Sequence, residues 1–210
     1  CKVELDGLAS HDAPRGTCGL HVHISRDVID AVTLRNMMLF VYGETDFMVS
    51  FARRGYTKFA KRVIEMRKAG RTRYEAVNAT REDTIEFRLP KGTTRPTTIL
   101  ATLEFCNALA HFCRGYNDVT ARAFKAWVVD NALPLVSLEE TCFLRMYLVN
   151  RGLATAEEMN LPVVRNNQSD GEVYSGYDMV GYYLSMTGER ENPSRYTLRD
   201  LQAEVDDLNN

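Results

Sequence analysis

Residues 16–25 read GTCGLHVHIS and place two of the chain's four histidines one residue apart. In extended backbone successive side chains point to opposite faces. His21, His23 and Ser25 therefore share one face, and Leu20, Val22 and Ile24 share the other. The first face carries two imidazoles and a hydroxyl, a set suited to holding a metal or a phosphate. A second stretch, TIEFRLPKGTT at 84–94, puts Glu86 and Arg88 on one strand face opposite the apolar Ile85, Phe87 and Leu89. A carboxylate offers Mg²⁺ the hard oxygen it prefers, and a guanidinium grips phosphate in a planar fork. Imidazole is an unusual ligand for Mg²⁺ but an acceptable one for Mn²⁺. Taken alone, Glu86 and Arg88 read more readily as a salt bridge at a sheet edge. Beside the imidazole face they read as a metal-and-phosphate site, with the polar face expected to look to solvent.

Four strands would have to position these groups: KVEL, CGLHVHIS, TRYEAVN and TIEFRL. Between Arg26 and about Arg54 the apolar residues Val28, Ile29, Val32, Met37, Phe40, Val41, Phe47 and Met48 recur at three- and four-residue spacings, which predicts helix ending at Gly55. A short basic helix, TKFAKRVIEMRKAG, is expected to follow and stop at Gly70. After PKGTTRP, the stripe Ile99, Leu103, Cys106, Ala110 and Cys113 predicts an amphipathic helix capped by Thr97 or Thr98 and packed on the face holding Val22 and Phe87. Two further helices are expected near 119–131 and 137–151. There is no internal repeat. From Leu161 the chain turns polar and rich in Gly and Tyr, and TLRDLQAEVDDLNN predicts a last helix. The division expected is a core at 1–160 and an extension at 161–210.

The chain has 210 residues, 45% of them hydrophobic, enough for a sizeable core, and a formal net charge of −2. No apolar run approaches the roughly 20 residues needed to cross a bilayer. The opening residues show no secretory pattern, and five cysteines without a CxxC pair suit a reducing compartment. A cytoplasmic location without a membrane partner is therefore expected. Cys106 and Cys113 read as packed core thiols. The start at Cys1 is expected of a fragment or a processed product. Charge is segregated: thirteen Lys or Arg against five Asp or Glu from Arg53 to Arg95, and six against thirteen from Ser137 onward. That pattern fits either a solvated face with an acidic tail or a basic site for phosphate. For Arg53 and Arg54 themselves, solubility is the better reading.

The segment CGLHVHIS, followed by RYEAVNATREDTIEFRLPKGTT and a long apolar helix, resembles the amidoligase family, ATP-dependent carboxylate–amine ligases of the glutamine-synthetase-like superfamily. The resemblance runs from about Thr17 to about Gly152. Glutamine synthetase has a similar Gly-x-His-x-His-x-Ser strand and a later Glu-x-Arg strand. The resemblance implies an α+β fold, with an antiparallel sheet of glutamine-synthetase-like catalytic type packed against several helices. It implies that His21 and Glu86 bind a metal, that His23 and Ser25 contact the nucleotide, and that Arg88 contacts the transferred phosphate. Arg73, Tyr74 and Asn78 match positions where the superfamily places further phosphate or substrate contacts. The family's early Glu-x-Glu pair, which supplies the other metal ligands, has one counterpart here, Glu4 and Asp6 in VELD, only fifteen residues before His21. VELD is either a shortened version of that strand or a different strand.

The chemistry so implied uses ATP and Mg²⁺ or Mn²⁺. A small-molecule or peptide carboxylate attacks the γ-phosphate, and an amine then displaces phosphate from the acyl phosphate to form an amide or isopeptide bond. Positioning and charge neutralisation would do most of the work. Two rivals stand beside this reading. One is a non-catalytic scaffold or assembly protein derived from the same fold, self-associating or binding a protein partner through the C-terminal extension. The other is a basic-patch nucleic-acid binder with Tyr56 and Phe59 among its cations. No recognition motif supports that binder and the net charge is slightly negative, so nucleic acid is the less favoured partner.

Overall fold

Three short strands make one antiparallel sheet: β1 (Val22–Ser25), β2 (Val77–Asn78) and β3 (Thr84–Phe87), in the order β1-β3-β2. The register sets Val22 and Val77 on either side of Phe87, and His23 and Asn78 on either side of Glu86. Each strand thus gives one apolar face and one polar face. These elements belong to a computed structural model that describes residues 19–93, 95–115, 118–131 and 142–161. The chain divides into two units, Cys1–Asn167 and Gln168–Asn210, and every described residue belongs to the first.

Five helices accompany the sheet among the described residues: α1 (Ala31–Gly43), α2 (Thr45–Ala52), α3 (Pro96–Gly115), α4 (Ala121–Asn131) and α5 (Phe143–Asn150). The class is α+β. Asp30 starts α1 by accepting the Thr33 amide at 2.7 Å, an N-cap that fills an otherwise unpaired donor. Pro96 opens α3 at the first helical position, where its missing N–H costs nothing. The Glu104 carboxylate of α3 reaches the start of α5 and accepts the Leu144 amide at 2.7 Å, although Glu104 itself is buried.

The core is aromatic. Phe51 and Phe105 lie 4.1 Å apart between ring centroids, and Phe40, Phe112 and Phe124 complete an edge-to-face cluster around them. Phe105 also meets Phe87 of β3 at 5.7 Å, so α3 covers the apolar face of the sheet as the sequence predicts.

Several elements differ from expectation. The strands are shorter than the sequence suggests: residue 19 makes only an isolated bridge, to Lys91, and Arg73 and Tyr74 precede β2 rather than lie on it. Residues 57–70 are not a helix. Lys61 pairs with the 74–76 segment, its amide donating to Tyr74 O and its carbonyl accepting from Ala76, and a single 3₁₀ turn spans Met66–Lys68. Helix α2 ends at Ala52, before Gly55, with Arg53 in the left-handed region at φ 59°. Of the expected α3 stripe Cys106, Ala110 and Cys113 are buried, and the buried surface extends beyond it. Ile99 and Leu103 are half-buried, while Ala101, Phe105, Leu109 and Phe112 are at most 1% exposed. Thr97 and Thr98 sit inside its first turn, not at the cap. Val28 and Val32 are exposed. KVEL and the C-terminal helix lie outside the described residues. No helix among the described residues is long and apolar enough to cross a membrane.

Candidate functional site

The polar face of the sheet gathers His21, His23, Asn78, Glu86 and Arg88, with Glu86 at the centre. Antiparallel pairing and the period of two dictate this: His23, Glu86 and Asn78 form one row across three strands, and His21, two residues before His23, and Arg88, two after Glu86, lie at the same end of the β1–β3 pair. Oε1 of Glu86 accepts from Arg88 Nη1 at 2.7 Å and lies 2.9 Å from His21 Nδ1 and 3.8 Å from His23 Nε2. Oε2 accepts from Asn78 Nδ2 at 2.8 Å. Thr84 adds its hydroxyl, 3.3 Å from His23 Nδ1.

The expectation that this whole face looks to solvent needs correcting. Glu86 is 4% exposed, roofed by its own partners, whereas the His21 side chain is 36% exposed and that of His23 43%. Burial works against the Glu86 charge, but hydrogen bonds from Asn78 and Arg88 and the positive charge of Arg88 more than offset it, holding the carboxyl below its ordinary value. Burial lowers the His21 pKa, and the charges of Arg88 and Arg54 act in the same direction against the pull of Glu86. Its pKa being lowered from 6.5, the His21 ring is mainly neutral at pH 7, and its 2.9 Å approach to Glu86 is that of a neutral ring.

Gly19 has a spatial reason to be glycine. A Cβ there would stand 2.9 Å from Arg54 Nη2 and 3.1 Å from His21 Nε2. The sequence reading missed this role. Arg54 is a staple as much as a charge: its Nε donates to Leu89 O at 2.6 Å and its Nη2 to Arg88 O at 2.7 Å, fixing the chain just after β3. Arg53 likewise donates to Lys91 O at 2.8 Å. Arg88 sends Nε to the Phe59 carbonyl at 3.2 Å, which ties the site to the 57–73 loop. No sequence signal pointed to Phe59 in that role.

Arg73 turns to Tyr74 instead, donating to its hydroxyl at 2.7 Å with the guanidinium 4.8 Å from the ring centre. Ser25 ends β1 opposite Thr84 and is exposed. Glu4 and Asp6 lie outside the described residues. The cysteine expectation holds within the core: Cys106, Cys113 and Cys142 are buried, and burial pushes the Cys113 thiol up to about 12 and that of Cys142 to about 11.

Chemically, the cluster joins one carboxylate to a guanidinium, a neutral imidazole and an amide. Both carboxylate oxygens are already engaged, and among the described residues no group of three or more His, Cys, Asp or Glu is placed to hold a metal ion. These residues do not by themselves fit a resident divalent cation. They do leave the His23 ring 43% exposed, while the Arg88 side chain is 15% exposed. Comparison with known proteins returned no matching family model, no matching curated protein and no matching solved structure.

Proposed function

We propose that the chain is an ATP-dependent carboxylate–amine ligase of glutamine-synthetase-like type, working on the polar face of its sheet. One observation carries the reading: the row His23–Glu86–Asn78 across three strands, flanked by Arg88 and backed by an apolar face. A salt bridge at a sheet edge would need only two of these residues. Here the carboxylate is buried, four neighbours approach it, and the two imidazole rings stay part-exposed.

In this reading Mg²⁺ or Mn²⁺ arrives with ATP as part of the substrate. Arg88, oriented by Glu86 and by the Phe59 carbonyl, offers its free amino group to the transferred phosphate and offsets the charge that builds on it. His23 donates to a phosphate oxygen of the nucleotide, and Ser25 lies along the same face. Glu86 acts as a positioning residue, holding the guanidinium at 2.7 Å beside the His21 ring. The carboxylate of the acid substrate attacks the γ-phosphorus and ADP leaves. The amine then adds to the acyl carbon and phosphate leaves.

The test is acyl-phosphate trapping. The protein is incubated with ATP, Mg²⁺ or Mn²⁺ and a panel of carboxylic acids, with hydroxylamine as the amine, and hydroxamate and ADP are measured. The expected result is hydroxamate that depends on ATP and on Arg88. Equal hydroxamate from the Arg88→Lys variant would overturn the site assignment, and no product from any acid would overturn the ligase reading.

A further inference from the structure

The loop from Thr57 to Arg73 carries seven Lys or Arg and one acid, Glu65, a net of six positive charges in a chain whose total is −2. All seven cationic residues are exposed. Among them stand two apolar side chains that have no place in the core: Ile64 is 86% exposed and Phe59 55%. Burying either would be favourable, and the fold leaves both outside. Next to the loop runs a groove of about 460 Å³ with Leu34, Met38 and Met66 on its floor and Arg26, Arg35 and Arg67 around them. No carboxylate lines it among the described residues. The loop is also fastened to the candidate site, because the Phe59 carbonyl accepts Arg88 Nε.

We propose that the 57–73 loop and the adjoining groove are a docking surface for an acidic polypeptide, whose side-chain carboxylate is the acid the ligase activates. This rests on the ligase reading of the Glu86–Arg88 site. The chemistry of the surface selects the occupant. Six net positive charges match a run of carboxylates. Ile64 and a groove lined by Leu34, Met38 and Met66 accept apolar side chains and adapt to them, while the one exposed ring of the loop, Phe59, already packs beside Tyr74 at 6.1 Å and under Lys58 at 5.0 Å. A small free acid would touch neither feature. The step balances as follows: one oxygen of a docked glutamate or aspartate bonds to the γ-phosphorus, the bond to ADP breaks, the amine nitrogen bonds to the acyl carbon, phosphate leaves, and the amine proton passes to solvent.

The experiment is fluorescence anisotropy with a labelled peptide of alternating glutamate and leucine. A glutamine–leucine peptide, a single-stranded oligonucleotide and vesicles of phosphatidylserine and phosphatidylcholine serve as competitors. The acidic peptide should bind, weaken as salt is raised, and lose roughly tenfold or more in affinity in the triple variant Lys58→Glu, Lys61→Glu, Arg71→Glu, which cancels the net charge of the loop. Ile64→Ser should weaken it several-fold at unchanged charge, which separates apolar docking from bulk electrostatics. Thermal melts check that both variants fold; these side chains are exposed, and Ile64→Ser alone suffices if the triple variant does not. Tighter binding of the oligonucleotide or the vesicles than of the acidic peptide overturns the proposal, as does equal binding of the glutamine peptide. The two claims fail separately. Hydroxamate formed on small acids without peptide binding refutes the docking surface alone. Peptide binding without any ATP-dependent product refutes the ligase reading and leaves an acidic-peptide binder.

Discussion

The two faces of the three-stranded sheet are built from alternating residues of the same strands, yet they are held by different physics. On one face Val22, Val77, Ile85 and Phe87 are buried under α3 and reach Phe105. On the other, Glu86 is held by hydrogen bonds from Asn78 and Arg88, and His23 is hydrogen-bonded to Thr84. Apolar burial is non-directional and tolerant of small shifts. A buried carboxylate needs each donor in place, because an unpaired partner is costly. The stability of the sheet should therefore reside mainly in the first face, and its chemistry in the second.

The largest expected effect tests the apolar face. Phe105→Ala removes a ring at the junction of sheet and helices and should cost about 3–5 kcal/mol by denaturant titration. A loss under ~1 kcal/mol would mean that the aromatic cluster does not anchor the sheet. Next comes Glu86→Ala, which strands the Asn78 amide and the Arg88 guanidinium and should cost about 1–3 kcal/mol. If its unfolding curve overlays that of the wild type, the polar lattice is not a built feature. Leu103 is only half-buried, so Leu103→Ala should cost less than Phe105→Ala, about 1–2 kcal/mol, and a larger loss would place the buried stripe of α3 on the Leu103 side after all.

Acidity gives a smaller but more specific probe. The folded Glu86 carboxyl lies below its ordinary 4.5, so its contribution is complete above that pH and is lost as pH falls through the folded value. The pKa of His21 is also lowered, from 6.5, so stability should begin to decline as pH drops below that value. Both slopes point the same way, towards less stability in acid. Urea midpoints followed from pH 7 downward should fall, and Glu86→Gln should flatten the lower limb; an unchanged slope in that variant would assign the titration to other groups.

The pairing of β1 with β3, and the sharing of one face by His21, His23, Glu86 and Arg88, could be read from a period of two alone. Each strand has one face of consistent character, and a one-residue slip would have buried the imidazoles. Helix α3 was legible as a helix but only in part in its orientation. It packs against both α1 and α5 and is buried on several sides, so the stripe rule, which assumes one buried face, found Cys106, Ala110 and Cys113 but took Ile99 and Leu103 and missed Phe105 and Leu109. Glu104 broke the same rule, since a carboxylate inside a core makes sense only once the start of α5 is seen beside it. The 57–70 segment misled for another reason. Its charges follow a helical spacing, but its backbone pairs with 74–76, a long-range contact that local periodicity does not encode. The loop's exposed Phe59 and Ile64, and its link to Arg88, were hidden with it.

The central claim, that the polar face handles phosphate, is tested most directly by equilibrium dialysis of radiolabelled ATP with Mg²⁺ against wild type and Arg88→Lys. Lysine keeps the charge but cannot serve Glu86, the Phe59 carbonyl and a phosphate oxygen at once, as the planar guanidinium can. Metal-dependent binding is expected for the wild type and a loss of roughly tenfold or more for the variant, measured well below the thermal midpoint of each protein because losing a partner of Glu86 or Phe59 lowers that of the variant. Equal retention of ATP by the two proteins would contradict the claim.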